Sequence, residues 1–318
     1  MRFFRRIRLI GLYAILGLLA LGMGTPLAAR AHAAGFRDLG FGPGDAYQIG
    51  SEWGKHIVTK QELDRDPVFR RAAFATASLG GGTAFYLGRF ADFHVIATNH
   101  HVCPDPSECM GASAQFPLLG IRLRVTRFFG TWSAIDLALL AVEVQTPEQE
   151  RALAAVAGNF AFRATLHPGE PLLTIGFGSA GNPMHRLVAN YDRDCKVFSG
   201  RDEFRFMADP DTYNPGEYKA WSFANGCDVS HGDSGSAMVD RMTGEVVGII
   251  WTGRVPKDPK IRNSNYLDDL LRAQGPEIWT ELSYAVPAPK IGEVLANQLA
   301  NPRLGAETRI MLNALLAN

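Results

Sequence analysis

Cys227-Asp-Val-Ser-His-Gly-Asp-Ser-Gly-Ser236 is the stretch on which the reading of this chain turns. Alone, a Gly-Asp-Ser-Gly run is often only a turn, because these residues tolerate or stabilise bent backbone. Two further segments change its weight. Val95-Ile-Ala-Thr-Asn-His-His-Val102 is an apolar β-run that ends in histidine, and Ala134-Ile-Asp-Leu-Ala-Leu-Leu140 embeds one aspartate in an apolar run. Each has a bland explanation by itself, a satisfied structural histidine or a capping aspartate. In the chain order His, Asp, Ser they form the signature of a nucleophilic triad.

The order discriminates between architectures that build this triad. An α/β-hydrolase needs its histidine after the serine. Here the last histidine is His231, and Ser236 stands where that fold's nucleophile turn requires glycine. The subtilisin order needs an aspartate motif before the histidine, and none precedes His101.

The rest of the sequence agrees with a β-rich exported domain. Its 318 residues carry 32 basic and 32 acidic side chains, so no basic excess is available for phosphates and nucleic-acid binding is not expected. Hydrophobic residues at 47% and charged residues at 20% are enough for a packed core. Strand signals recur at short intervals: 72–79 and 83–88 around Gly80-Gly81-Gly82, then 93–98, 121–128 and 135–144. They resume at 171–177, 186–191, 195–199, 219–223, 236–239, 245–251 and 281–286. Ile121-Arg-Leu-Arg-Val-Thr-Arg127 alternates as a half-buried strand does. Many short strands with little helix predict a sandwich or barrel. A helix is expected over 60–71. Another starts at Thr146-Pro147-Glu148-Gln149, with Thr as N-cap and Pro at the first helical position, and should stop at Gly158. It reads as a linker between two strand-rich parts. After Pro287 the apolar spacing of Ile291, Val294, Leu295 and Leu299 is helical.

Residues 1–34 read as an export signal: Arg2, Arg5, Arg6 and Arg8, then an apolar run from Leu9 to Met23, then Ala31-His32-Ala33 as a cleavage site. The apolar run is short for a membrane span, so a cleaved signal is preferred to a retained anchor, which would be the chain's sole membrane contact. An oxidising compartment suits the four cysteines. Three pairings are open. Cys103–Cys109 and Cys195–Cys227 are preferred, and a zinc site from His100, His101, Cys103 and Cys109 is the alternative, with a spacing that matches no standard ligand pattern. No metal or organic cofactor is expected.

Over roughly residues 72–290 the chain resembles the trypsin-like, chymotrypsin-fold serine peptidases, in particular the secreted bacterial branch that includes the glutamyl endopeptidases. The resemblance rests on Gly81-Gly-Thr-Ala-Phe-Tyr-Leu-Gly88, Thr98-Asn-His-His-Val102, Asp136-Leu-Ala-Leu-Leu140, the stretch 227–236 and Gly248-Ile-Ile-Trp-Thr-Gly253. It implies an all-β fold of two six-stranded antiparallel β-barrels, with the site between them and a C-terminal helical tail. The domains then run 35–70 (N-terminal extension), 71–146 (first barrel), 147–165 (linker helix), 166–287 (second barrel) and 288–318 (tail).

The chemistry needs an activated serine, since a hydroxyl is a poor nucleophile at neutral pH. His101, the histidine directly before Val102, takes the Ser234 proton and returns it to the leaving amine, while Asp136 fixes its tautomer. His100 reads as incidental. The N–H groups of Gly232 and Ser234 form the oxyanion hole, with glycine permitting the turn. In zymogen-activated relatives the equivalent of Asp233 pairs with a newly freed N-terminal amine. No Ile-Val-Gly-Gly start exists here, so its partner is unidentified, and Arg70-Arg71 is the one cut site to consider. Asp228, six residues before Ser234, stands where trypsin-like relatives hold the aspartate that selects Lys or Arg. Its other reading is a hydrogen-bonded loop residue beside a disulfide. Asp228 and Trp251 are the candidate substrate-binding residues, and Ile250, where glutamyl relatives carry histidine, argues against Glu specificity. The expectation is an exported, monomeric serine endopeptidase acting on protein or peptide. An inactive peptidase-like binding protein and a serine esterase are the rival readings.

Overall fold

A computed structural model of the chain describes residues 47–210 and 218–317. The expected export signal, 1–34, and the first part of the extension lie outside the described residues. Among those described, no helix is long and apolar enough to cross a membrane.

The described chain opens with a segment laid against the C-terminal half. Its short strand β1 (His56–Ile57) pairs with Val188 and Ala189. Helix α1 (Lys60–Arg65) follows, capped by a reciprocal box between Thr59 and Glu62. The helix expected over 60–71 is in fact two. Asp66 precedes a proline, which disfavours helical backbone, so it ends α1 and caps α2 (Pro67–Ala75) with bonds to the N–H groups of Val68 and Phe69.

Six strands then close a barrel: β2 (Thr76–Leu79), β3 (Gly82–Phe90), β4 (Phe93–Thr98), β5 (Ser113–Phe116), β6 (Ile121–Trp132) and β7 (Leu137–Val142), in the order β2-β3-β4-β7-β6-β5. Alternate residues fill it, among them Tyr86, Ile96, Phe116, Leu123 and Leu140. Side chains of β6 alternate between buried and exposed along Arg122–Thr126. The β4–β7 register pairs Thr98 with Ala138. That pairing brings the end of β4, just before His101, beside the start of β7, just after Asp136.

A helical turn, α3 (Pro106–Cys109), interrupts the barrel after β4, and α4 (Pro147–Ala154) leaves it. The latter is capped as expected by Thr146 but ends at Ala154, short of Gly158. Gly158 instead donates its N–H to Tyr86 O of the barrel.

The second half differs from a closed six-stranded barrel. Strands β8 (Leu172–Gly176), β9 (Val188–Asn190), β10 (Arg205–Ala208), β11 (Lys219–Asn225), β12 (Ala237–Asp240), β13 (Val246–Thr252) and β14 (Ser283–Pro287) join β1 in one antiparallel sheet of eight, ordered β1-β9-β8-β12-β13-β14-β11-β10. Residues 195–199 reach from one side of this sheet to the other through two isolated bridges, Pro171 with Lys196 and Val197 with Asn225. The sheet curls toward closure without a continuous ladder there. Helix α5 (Ser264–Ala273) was not expected. Helices α6 (Ala288–Leu299) and α7 (Ala306–Leu316) form the tail, which returns to the first barrel, where Thr308 Oγ1 donates to Phe129 O at 3.1 Å. The preferred disulfides, Cys103–Cys109 and Cys195–Cys227, are both present. They occupy the sulfurs that the zinc alternative would need.

Candidate active site

The turn after β4 delivers His101, and the turn before β7 delivers Asp136. A 3₁₀ turn over Ser133–Ile135 ends on Asp136 in left-handed conformation, φ 36° and ψ 49°. Asn99 ties the two turns by donating from Nδ2 to Asp136 O at 2.8 Å. The Asp136 carboxylate is fully buried. It accepts from the His101 N–H at 3.0 Å, from His101 Nδ1 at 2.8 Å and from the Tyr218 hydroxyl. A carboxylate can only accept here, so Nδ1 carries the proton and the Nε2 lone pair of the neutral ring is left for a substrate-side proton. The imidazole is 37% exposed. Burial pulls its pKa down, but the charge and hydrogen bond of Asp136, with Asp209 beyond, hold it above the ordinary value.

Ser234 stands on a loop clamped by the first barrel. Thr83 N donates to Ser234 O at 2.8 Å, and Thr83 Oγ1 donates to Gly232 O at 2.7 Å. Gly82 separates this loop from the histidine turn. A Cβ there would lie 2.8 Å from Val102 Cγ2 and 3.1 Å from Ser234 O. The loop is a tight coil, with Asp233 N donating to Ser230 O and Ser236 N to Asp233 O. Gly232 needs φ +97°, and a side chain at this position would meet Phe177 O at 2.5 Å. Among the described residues, the Gly232 and Ser234 N–H groups donate to no protein acceptor, and no hydrogen bond joins Ser234 Oγ to His101. Two unspent donors flanking one hydroxyl are what an oxyanion requires. The serine–histidine contact is one that apo sites commonly complete only with substrate bound.

Tyr218 is the site residue that sequence reasoning missed. Its ring stacks on His100 at 5.8 Å and 5°, meets His101 edge-on at 6.2 Å and lies 5.9 Å from Trp251. Burial and the neighbouring Asp136 charge push its phenol far above the ordinary value, so it stays a donor. His100 is not incidental, since it backs Tyr218 and bonds Thr131 Oγ1 at 2.6 Å.

The two loop acids both face the N-terminal segment. Asp233 pairs with Lys55 and also accepts from Ser230 N at 2.9 Å and Gly178 N at 3.0 Å. Asp228 is fully buried and accepts from Ile49 N and Gly54 N, each at 2.7 Å. Burial, opposed by the Ile49 N–H and reinforced by Asp192, pushes its carboxyl up to about 8. The structure therefore holds Asp228 inside the protein, against residues 49–54. Trp251 is buried too, with Nε1 donating to Ser222 Oγ at 2.9 Å.

Among solved structures, this chain is similar to Rv3671c from M. tuberculosis H37Rv. A serine-to-alanine mutant in its inactive form is 18% identical with a TM-score of 0.49, covering 79% of this chain and 99% of that one. The active form of that protease is 19% identical with a TM-score of 0.48, covering 77% and 87%. Similarity at this level leaves activity to be argued from the site itself. No curated protein matches. The family model for the trypsin-like peptidase domain matches residues 82–249, which hold His101, Asp136, Gly232 and Ser234. As that match spans more than half of the sequence, the chain belongs to the trypsin-like peptidase domain family and is a trypsin-like serine hydrolase.

Proposed function

We propose that the chain is an exported serine endopeptidase that cleaves peptide bonds through an acyl-enzyme on Ser234. The observation that carries this reading is the Asp136–His101 pair, set at 2.8 Å through Nδ1, together with a serine loop that leaves two N–H donors unspent. His101 Nε2 takes the Ser234 proton as Oγ attacks the scissile carbonyl, and Asp136 stabilises the imidazolium. Charge gathers on the carbonyl oxygen and is met by the Gly232 and Ser234 N–H groups. Collapse of that intermediate breaks the C–N bond, and His101 returns the proton to the leaving amine. Water then repeats the sequence on the ester to free the acid and Ser234. The disulfides fit an oxidising compartment and so support export. Asp228 takes no part in selecting substrate, because its oxygens are committed to main-chain donors.

The test is labelling of the purified chain, freed of residues 1–34, by a fluorophosphonate, beside Ser234→Ala. Labelling of the wild type alone supports an activated Ser234, and hydrolysis of peptide amides then separates a peptidase from an esterase. A wild type that neither labels nor cleaves, before or after limited proteolysis, would make this a binding protein on a peptidase scaffold.

A further inference from the structure

We propose that Lys55 is a positioning residue for the oxyanion donors, and that the chain reaches a competent nucleophile loop through this internal ammonium, with no cut to free an N-terminal amine. The proposal deepens the peptidase reading above and rests on it.

Asp233 sits in the chain between the two donor residues, Gly232 and Ser234. Its side chain points away from the cleft into the protein, where it is 2% exposed and meets Lys55, 3% exposed. Lys55 Nζ also donates to Ser230 Oγ at 3.1 Å. A buried carboxylate without its cation is costly, and it must either take up a proton or move toward solvent. Any such movement turns the peptide units that join Asp233 to its neighbours, the Ser234 N–H among them. The ammonium thus holds the donors through the carboxylate.

The site around the pair is built to fit. A Cβ on Gly178 would lie 2.2 Å from both Lys55 Nζ and Asp233 Oδ2. Lys55 is delivered by a fixed path. Ile49 N and Gly54 N are held by Asp228, Gly50 N donates to Ile261 O at 2.8 Å, and His56–Ile57 pairs with Val188 and Ala189. Arg70 and Arg71 lie inside α2, where Arg71 bonds Gly244 O. A cut there would free an amine for a position that Lys55 already fills.

The test compares the wild type, Lys55→Met, Asp233→Asn and the double variant, all in the full chain after signal removal. The readouts are the rate of fluorophosphonate labelling, kcat and KM on a peptide amide, and inhibition by a peptidyl boronate. We expect uncut wild type to label. Lys55→Met should lower kcat by about 10²–10³, the cost of a lost oxyanion donor, with KM within about threefold. Boronate affinity should fall in parallel. Lys55 acts through the Asp233 charge, so on the Asp233→Asn background its removal should cost nothing. That comparison stands even if Lys55→Met alone does not fold, because the double variant buries no unpaired charge. Equal labelling of the wild type and Lys55→Met would overturn the proposal, as would a further tenfold loss in the double variant. A wild type that labels only after clipping at Arg71 would also overturn it while leaving the peptidase reading intact. A wild type that never labels would remove that reading, and the proposal with it.

Discussion

Tyr218→Phe removes one oxygen and little else. The phenyl ring keeps its stack on His100 and its edge contact with His101. What it takes away is one of three donors to a carboxylate that water does not reach. A hydrogen bond to a charged group is worth about 1.5–3 kcal/mol, so the ceiling on the rate loss is roughly 10–150-fold. Only the part that differs between ground and transition state reaches kcat/KM. Two effects then oppose each other. The carboxylate loses a restraint on its orientation, which slows the reaction. It also holds its charge less diffusely and attracts the imidazolium more strongly, which helps. The expected net loss is about 3–10-fold at the pH optimum. The pH dependence carries the sharper sign. His101 works as a base only when neutral, so activity is lost as pH falls through its pKa, already raised by Asp136. A carboxylate that has lost one donor attracts the imidazolium more strongly and raises the His101 pKa further, and the acid limb moves to higher pH. The assay is the second-order rate of fluorophosphonate inactivation from about pH 5 to 9, which needs no knowledge of the natural substrate. An acid limb that stays put or moves down, with the rate within twofold of wild type, would refute the role assigned to Tyr218.

Three further outcomes are expected. Gly232→Ala should cost at least about 10² in kcat, because a side chain at φ +97° would press on Phe177 O and displace the donor. A thermal melt beside the kinetics separates this from loss of fold. Replacing Cys195 and Cys227 together by alanine should destabilise the fold by about 3–4 kcal/mol in urea unfolding, the entropy of the 32-residue loop that the bridge closes. Peptides with Arg before the scissile bond should be cleaved no faster than those with Leu, since Asp228 is buried against main-chain donors. A hundredfold preference for Arg in kcat/KM would show that Asp228 faces the cleft after all.

The parts of this molecule that were legible in the sequence are those whose signal is local. The alternation of β6 survives as alternating burial. The cap at Thr146 could be read from four residues because a cap needs only its own first turn. Two further local signals are present in the sequence, one at a helix break and one at a helix start. Asp66-Pro67 breaks the first helical region by the rule that a residue before proline leaves the helical basin. Helix α5 announces itself with Asn263 as cap and with Leu267 and Leu270 on one face. What could not be read is non-local. Lys55 is 178 residues from Asp233, and Tyr218 is 82 from Asp136. A lone lysine in a polar stretch and a lone tyrosine at a loop end carry no periodicity or motif, and only the fold pairs them with acids. The closure of the second sheet through two isolated bridges escapes sequence reasoning for the same reason.

The division of work between Asp228 and Asp233 says what kind of control this architecture permits. Among the described residues Asp228 accepts from main-chain and amide donors, so it sets the path of residues 49–54 whatever most of their side chains are. Gly50 and Gly54 are the exceptions, because a Cβ would fall 2.2 Å from Asp194 Oδ2 at the first, where φ is +89°, and 1.7 Å from Asp192 Oδ2 at the second. Asp233 takes the Lys55 side chain at the end of this path, and it is the residue that joins Gly232 to Ser234. Anchoring and positioning are thus separated along seven residues of chain, and both acids that lead to Ser234 bond the N-terminal segment. Competence of the nucleophile loop is then linked to docking of residues 47–58. A perturbation that undocks the segment without unfolding the barrel should silence Ser234 reversibly, because the same polypeptide can return the ammonium to its place.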